Sequence, residues 1–265
     1  NMPKISSYTF ESWFKKRKAN TTGSRGKIVF FHDTHINYIH PEVGKSAVKI
    51  LESAGYEVEI TDRKCCGRTL ISKGLLEEAK KYVDYNTNLL SSYVEAGIKI
   101  VGIEASCVSA IQDELPDLAD QREKAQKISD NTFTIQDLIM QIQNDGKQQI
   151  KWNETNKDLL LFVHCHERAL NGTTNSLGSL NLPGKFKANL IDAGCCGMAG
   201  SFGMEKEHYE ISKTMANDRL LPAIENSEEE QEIIVTGISC HDQIKDLSSK
   251  TPKYLVEVLA EAVSD

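Results

Sequence analysis

Seven cysteines occur in the 265 residues: the vicinal pairs Cys65-Cys66 and Cys195-Cys196, and the single residues Cys107, Cys165 and Cys240. An odd count with two adjacent pairs does not suit a disulfide framework, because disulfide geometry rarely bridges sequence neighbours. Clustered cysteines in a chain without a secretory signal point instead to metal ligation or redox chemistry. The fuller set is Cys165, Cys195, Cys196 and Cys240, with 29 and 43 residues between its three stations. Four thiolates around one point suit zinc or an iron–sulfur cluster by softness. Spacing this wide is unlike the short C-x2-C knuckles of common zinc modules.

The loop carrying the second pair reads GCCGMAGSFG, with Gly194, Gly197, Gly200 and Gly203. Glycines let the backbone approach a bulky inorganic core and aim amide N–H groups at sulfur. The loop resembles a phosphate-binding turn, but the Lys-Ser/Thr signature is missing and the cysteines would then be unexplained. A helix opening after the pair, over about residues 205–224, would add its N-terminal dipole.

Such distant residues meet only if the fold brings them together. KIVFF (27–31), YEVEI (56–60) and IKIVGI (98–103) read as strands, with helices over 41–54 and 75–94 between them. DLLLFV (158–163), a short strand at 188–191 and EIIVTG (232–237) repeat that order, each running toward a cysteine. The pattern predicts an α/β fold of two related lobes, each a small, mostly parallel sheet flanked by helices. In such sheets ligands bind along the edge where the strands' carboxyl ends lie. The expected domains are an N-terminal arm (1–26), a first lobe (27–150) and a second lobe (151–265). Ile135, Leu138, Ile139 and Ile142 give the polar stretch between the lobes a helical apolar face.

The repeat extends to the cysteines. An offset of 130 residues superposes Cys65-Cys66-Gly67 on Cys195-Cys196-Gly197 and brings FFHDTH to within one residue of LFVHCH. A short gap then aligns EASC, ending at Cys107, with GISC, ending at Cys240. Coincidence at three stations points to an internal duplication. The first copy has Thr34 near the place of Cys165, so Cys65, Cys66 and Cys107 form a doubtful second site, one ligand short. His32, His35 or His40 are candidates to complete it; buried thiols left over from duplication are the alternative. His164, His166, His208 and His241 read as residues around the centre, and Glu104 and Asp192 as caps or solvating groups at loop ends.

A formal charge of −7 argues against a general nucleic-acid surface, and no apolar run approaches the roughly 20 residues of a membrane span. No secretory signal is evident, so a cytoplasmic location is expected. The segment from Phe10 to Lys18 mixes aromatics with basic residues and suits a partner or the inner face of an anionic membrane, or is simply a solvated arm. Asn1 ahead of Met2 reads as an expression remnant, and the natural polypeptide is expected to be longer.

Together, NYIHPEVGKSAVKILESAGYEVE, CCGRTLISKGLLEEAKKY, CCGMAGSFGMEKEHYEIS and YLVEVLAEAV resemble the cysteine-rich CCG domain family from Lys27 onward. That family includes the CCG-bearing component of heterodisulfide reductase and lactate-utilisation iron–sulfur oxidoreductases. The wording is most similar to the iron–sulfur part of FAD-linked D-lactate or 2-hydroxyacid dehydrogenases and to the CCG-bearing component of anaerobic glycerol-3-phosphate dehydrogenase. The resemblance implies a 4Fe-4S module that passes electrons from a reduced flavin, held on a partner domain or subunit, to a quinone or similar acceptor. Neither a dinucleotide fingerprint nor a ferredoxin-type cysteine run is visible, so FAD and a ferredoxin-type iron–sulfur domain would belong to partners. The other readings are a zinc-stapled, non-redox interaction domain and a thiol–disulfide reductase using the vicinal pair.

Overall fold

The apolar runs form two separate parallel sheets of four strands each. The computed structural model describes residues 3–147 and 149–264, and the chain divides into two compact units between Lys151 and Trp152.

In the first unit β1 (Gly26–Phe30), β2 (Tyr56–Glu59), β3 (Lys99–Gly102) and β4 (Thr132–Thr134) lie in the order β2-β1-β3-β4, every pair parallel. Ile28 stands opposite Val58, and Val29 opposite Ile100. Ile28, Val29, Phe30, Ile100 and Val101 are buried, as strands covered on both faces require. The helices are α1 (Phe10–Lys16), α2 (Thr34–Tyr38), α3 (Pro41–Ser53), α4 (Arg68–Ser72), α5 (Leu76–Glu95), α6 (Ala105–Ser109), α7 (Leu115–Leu118), α8 (Arg122–Asp130) and α9 (Ile135–Asn144). The apolar stripe read at 135–142 is the buried face of α9, capped by Thr134, whose hydroxyl accepts from the Asp137 amide.

The segment read as an arm is folded onto this unit. Thr9 caps α1, and Phe10 is wholly buried, edge-on to Phe30 with ring centroids 5.5 Å apart. Its socket exists because residue 44 is glycine: a Cβ there would sit 2.6 Å from the Phe10 ring. Arg17 lies over the Phe14 ring and pairs with Glu52 at 2.6 Å.

Arg25, at the start of β1, donates to Asp145 just past α9 (Nη2 to Oδ1, 3.0 Å). That bond first, and the Lys147 amide next, hold the Asp145 carboxyl down at about 2. A folded value below the ordinary 3.8 adds stability that is complete above pH 3.8 and lost as pH falls toward 2. Asp145→Asn is therefore expected to flatten the acid limb of the stability profile only within that window, as read by thermal unfolding against pH.

The second unit repeats the plan. β5 (Lys157–Phe162), β6 (Phe186–Leu190), β7 (Glu232–Val235) and β8 (Lys253–Tyr254) lie in the order β6-β5-β7-β8, all parallel. Its helices are α10 (Cys165–Leu170), α11 (Thr174–Leu180), α12 (Tyr209–Asp218), α13 (Leu220–Glu225), α14 (Ile238–Leu247) and α15 (Leu255–Ala262). The helix expected over 205–224 is two helices that part at Arg219, whose φ of −140° is not helical. Among the described residues no helix is long and apolar enough to cross a membrane.

Candidate metal centre

In the second unit each cysteine station follows a strand of the sheet. Cys165 is the first residue of α10, after β5; Cys195 and Cys196 lie in the loop after β6; Cys240 is the third residue of α14, after β7. β5 is central to all three, pairing with both β6 and β7. The structure thus gathers the four predicted residues, and their sulfurs interact in the order Cys165, Cys195, Cys196, Cys240. Cys196 and Cys240 are buried, and the other two are partly accessible.

The electrostatics show what this donor set lacks. Hydrogen bonds from Cys165 and then Cys196 hold Cys195 far below the usual thiol range, and the Gly197 amide adds a further bond at 3.4 Å. The same contacts work against the neighbours. Interaction with Cys195 pushes Cys165 up, and interactions with Cys195 and Cys240, with burial, push Cys196 up. One thiolate forms easily here; four do so only around a cation, with release of the remaining protons. Backbone amides already face this charge, from His166 to Cys165, Gly197 to Cys195 and Met198 to Cys196. The residues fit a soft, thiolate-bound metal group.

Of the three glycines nominated, Gly197 is the constrained one. Its φ is +88°, and a Cβ there would lie 2.2 Å from the Ser212 carbonyl oxygen on α12. Gly200 is left-handed with open space around it, and Gly194 is under neither constraint. The loop does not open a helix directly: turns and a 3-10 turn at Phe202–Met204 precede α12, so the helix starts at the cysteines are those of α10 and α14.

Two supporting residues escaped the sequence reading. The Arg168 guanidinium on α10 donates to the carbonyls of Ala193 and Gly194. Buried Gln243 on α14 donates to the Cys196 carbonyl at 3.0 Å and the Ser212 hydroxyl at 2.8 Å. Both hold the loop by its backbone, which leaves no local sequence signal. Of the histidines, His164 caps α10, its Nδ1 accepting from the His166 amide at 3.2 Å. His241 stacks on Tyr254, and His208 stacks on Phe202 while meeting Glu205 at 2.9 Å. Asp192 pairs at the surface with Arg219.

The first unit holds the same stations. Cys65 and Cys66 follow β2, Gly67 has a φ of +89°, and Cys107 is the third residue of α6 after β3. The Cys66 and Cys107 sulfurs are 3.1 Å apart, and the Gly67 and Arg68 amides face Cys65 and Cys66. Interaction with Cys66 raises the Cys65 thiol, and interaction with Cys107 raises that of Cys66. The Cys66 bond favours the Cys107 thiolate, yet burial and the charges of Asp33 and Glu104 push it up to about 11. Asn86 plays the part of Gln243, donating to the carbonyls of Lys64 and Cys65. Glu104 caps α6, as read from sequence, accepting from Ser106.

The model of the cysteine-rich domain CCG matches the chain twice, over residues 29–112 and 159–245. The chain belongs to the cysteine-rich CCG domain family. Its two CCG lobes are 28% identical to a subunit of the anaerobic glycerol-3-phosphate dehydrogenase of Escherichia coli K12, over 99% of this chain and 66% of that protein. A D-2-hydroxyglutarate dehydrogenase of Pantoea ananatis is 22% identical over 89% of this chain, which spans 22% of that enzyme. Lactate utilization protein A of Bacillus velezensis is 25% identical over 81% of this chain and 87% of its own length. The CCG chain thus spans about two thirds of the first relative and under a quarter of the second.

Proposed function

We propose that this chain is the iron–sulfur electron-transfer component of a flavin-dependent dehydrogenase, of the D-lactate/2-hydroxyacid or glycerol-3-phosphate type. The observation that carries the reading is the convergence of Cys165, Cys195, Cys196 and Cys240 at one sheet edge, with backbone amides already facing their sulfurs. A 4Fe-4S cluster held by these four residues would supply one-electron chemistry. The chain's own groups do the rest. The loop amides offset negative charge, Arg168 and Gln243 keep the loop's carbonyls turned away from the sulfurs, and buried Cys196 and Cys240 limit access of water.

On this reading the carbon chemistry belongs to a flavoprotein partner, with a ferredoxin-type iron–sulfur domain beside it, and electrons pass to a quinone or similar acceptor. The names of the relatives, two of them dehydrogenases or their components, support that assignment. Met204, Tyr209, Ile211 and Met215 are exposed, and Met215 lies against Gly197, so apolar surface suited to a partner adjoins the loop. The setting proposed is cytoplasmic, at the inner face of the membrane.

Anaerobic reconstitution with iron and sulfide is expected to give visible charge-transfer absorbance and an EPR signal on reduction, both lost in Cys165→Ser. A protein that takes up stoichiometric zinc and no iron would overturn the reading in favour of a zinc staple.

A further inference from the structure

The first lobe has three thiols where the second has four, and the structure shows what stands at the missing station. Cys165 is the first residue of α10; its counterpart, the first residue of α2, is Thr34, whose side chain is exposed. One residue upstream, the cap of α2 is Asp33, where the cap of α10 is His164. Asp33 is only 2% exposed. Its Oδ1 accepts from the amides of His35 (2.8 Å) and Ile36 (3.1 Å), which completes the cap. Its Oδ2 is buried and has no hydrogen-bond partner. A cap uses one carboxylate oxygen and normally leaves the other to water, so a buried, unpartnered second oxygen is costly unless something positive meets it. Of the side chains that raise Cys107 electrostatically, Asp33 acts most strongly, ahead of Glu104 and Cys65.

We propose that Asp33 Oδ2 is the fourth ligand of a second iron–sulfur centre, held with Cys65, Cys66 and Cys107. Three thiolates and one carboxylate carry the same charge as the four thiolates of the second lobe. The Gly67 and Arg68 amides face this set as the Gly197 and Met198 amides face the other, so the same class of group suits both. The histidines read from sequence as candidates fit less well. His32 Nε2 is committed to Glu11 at 2.9 Å and the ring packs against Phe10. His35 Nδ1 is buried without a partner, but His35 is not among the groups that act on the three thiols.

The inference extends the proposed function to the first lobe, and its test separates the two. Asp33→Asn keeps the capping oxygen and removes the anionic one; Asp33→Cys offers a fourth thiolate. The full chain, reconstituted anaerobically, is assayed for iron, zinc and sulfide per chain and by redox-titrated EPR. Two centres are expected. Asp33→Asn should remove one, with about half of the iron, while Cys165→Ser removes the other; Asp33→Cys should keep both and shift the potential of the first alone. Full iron and an unchanged spectrum in Asp33→Asn would overturn the inference, as would loss of that centre in His35→Gln but not in Asp33→Asn. Zinc in place of iron in the first lobe would also overturn it. A single centre lost in Cys165→Ser and untouched by Asp33→Asn would sink the inference and leave the proposed function standing; two centres indifferent to Cys165→Ser would do the reverse.

Discussion

Serine in place of Cys196 is expected to strip the second lobe of its iron. Cys196 is the middle of the sulfur chain: it meets both Cys195 and Cys240, is 3% exposed and is faced by the Met198 amide. A serine oxygen is harder, sits closer to the backbone and gives up its proton far less readily than a thiol, so it replaces the side chain without replacing the donor. Changing groups behind a ligand typically costs about 10–100-fold in metal affinity, and removing a ligand should cost more. Stability should follow: a group bound at a thousandfold excess over its Kd contributes about 4 kcal/mol, and that share disappears with binding. Iron and labile sulfide per chain, with unfolding measured in metal-loaded and metal-stripped protein, separate this loss from any packing change. Equal loading of Cys196→Ser and the unaltered chain would contradict it.

The second large effect is expected from alanine at Gly197. Two costs combine there, and the duplication separates them. Gly67 and Gly197 share a left-handed backbone, with φ of +89° and +88°, so a side chain at either costs about 1–2 kcal/mol in local strain. At Gly67 the nearest atom to a new Cβ is 3.8 Å away, an ordinary contact. At Gly197 it is the Ser212 carbonyl oxygen at 2.2 Å, a backbone atom of α12 beside a side chain held by Gln243. Relief requires α12 or the cysteine loop to move. Gly67→Ala should therefore cost about 1–2 kcal/mol, and Gly197→Ala about 3 kcal/mol or more. Urea unfolding of metal-stripped protein reads the difference; equal costs in the two lobes would show that the close approach to Ser212 carries no weight.

Much of this was legible in the residues. The runs at 27–31, 56–60, 98–103, 158–163 and 232–237 became β1, β2, β3, β5 and β7, because strands buried on both faces are written as continuous apolar stretches. β4 and β8 escaped: they are three and two residues long, too short to show a period. The burial of Phe10 was invisible because it depends on Gly44, 34 residues away, being small. At the site, repetition exposed the cysteine stations, since two copies of one motif check each other. Arg168, Gln243 and Asn86 had no such signal, because each acts on backbone carbonyls that any sequence supplies. Asp33 was hidden for another reason: its capping role is commonplace, and only the burial of its second oxygen sets it apart.

The all-parallel connectivity of the two sheets bears on the order of events during biosynthesis. Parallel neighbours need crossover connections, so neither sheet has a hairpin on which to start, and pairings such as β5 with β7 join residues some 70 positions apart. The sulfur constellation of the second lobe includes Cys240, on the helix after β7, and so cannot assemble while the nascent chain stops short of it. Cofactor insertion must then be a late act of maturation, performed on a lobe whose sheet has already closed, while the earlier lobe already has its three cysteines in place.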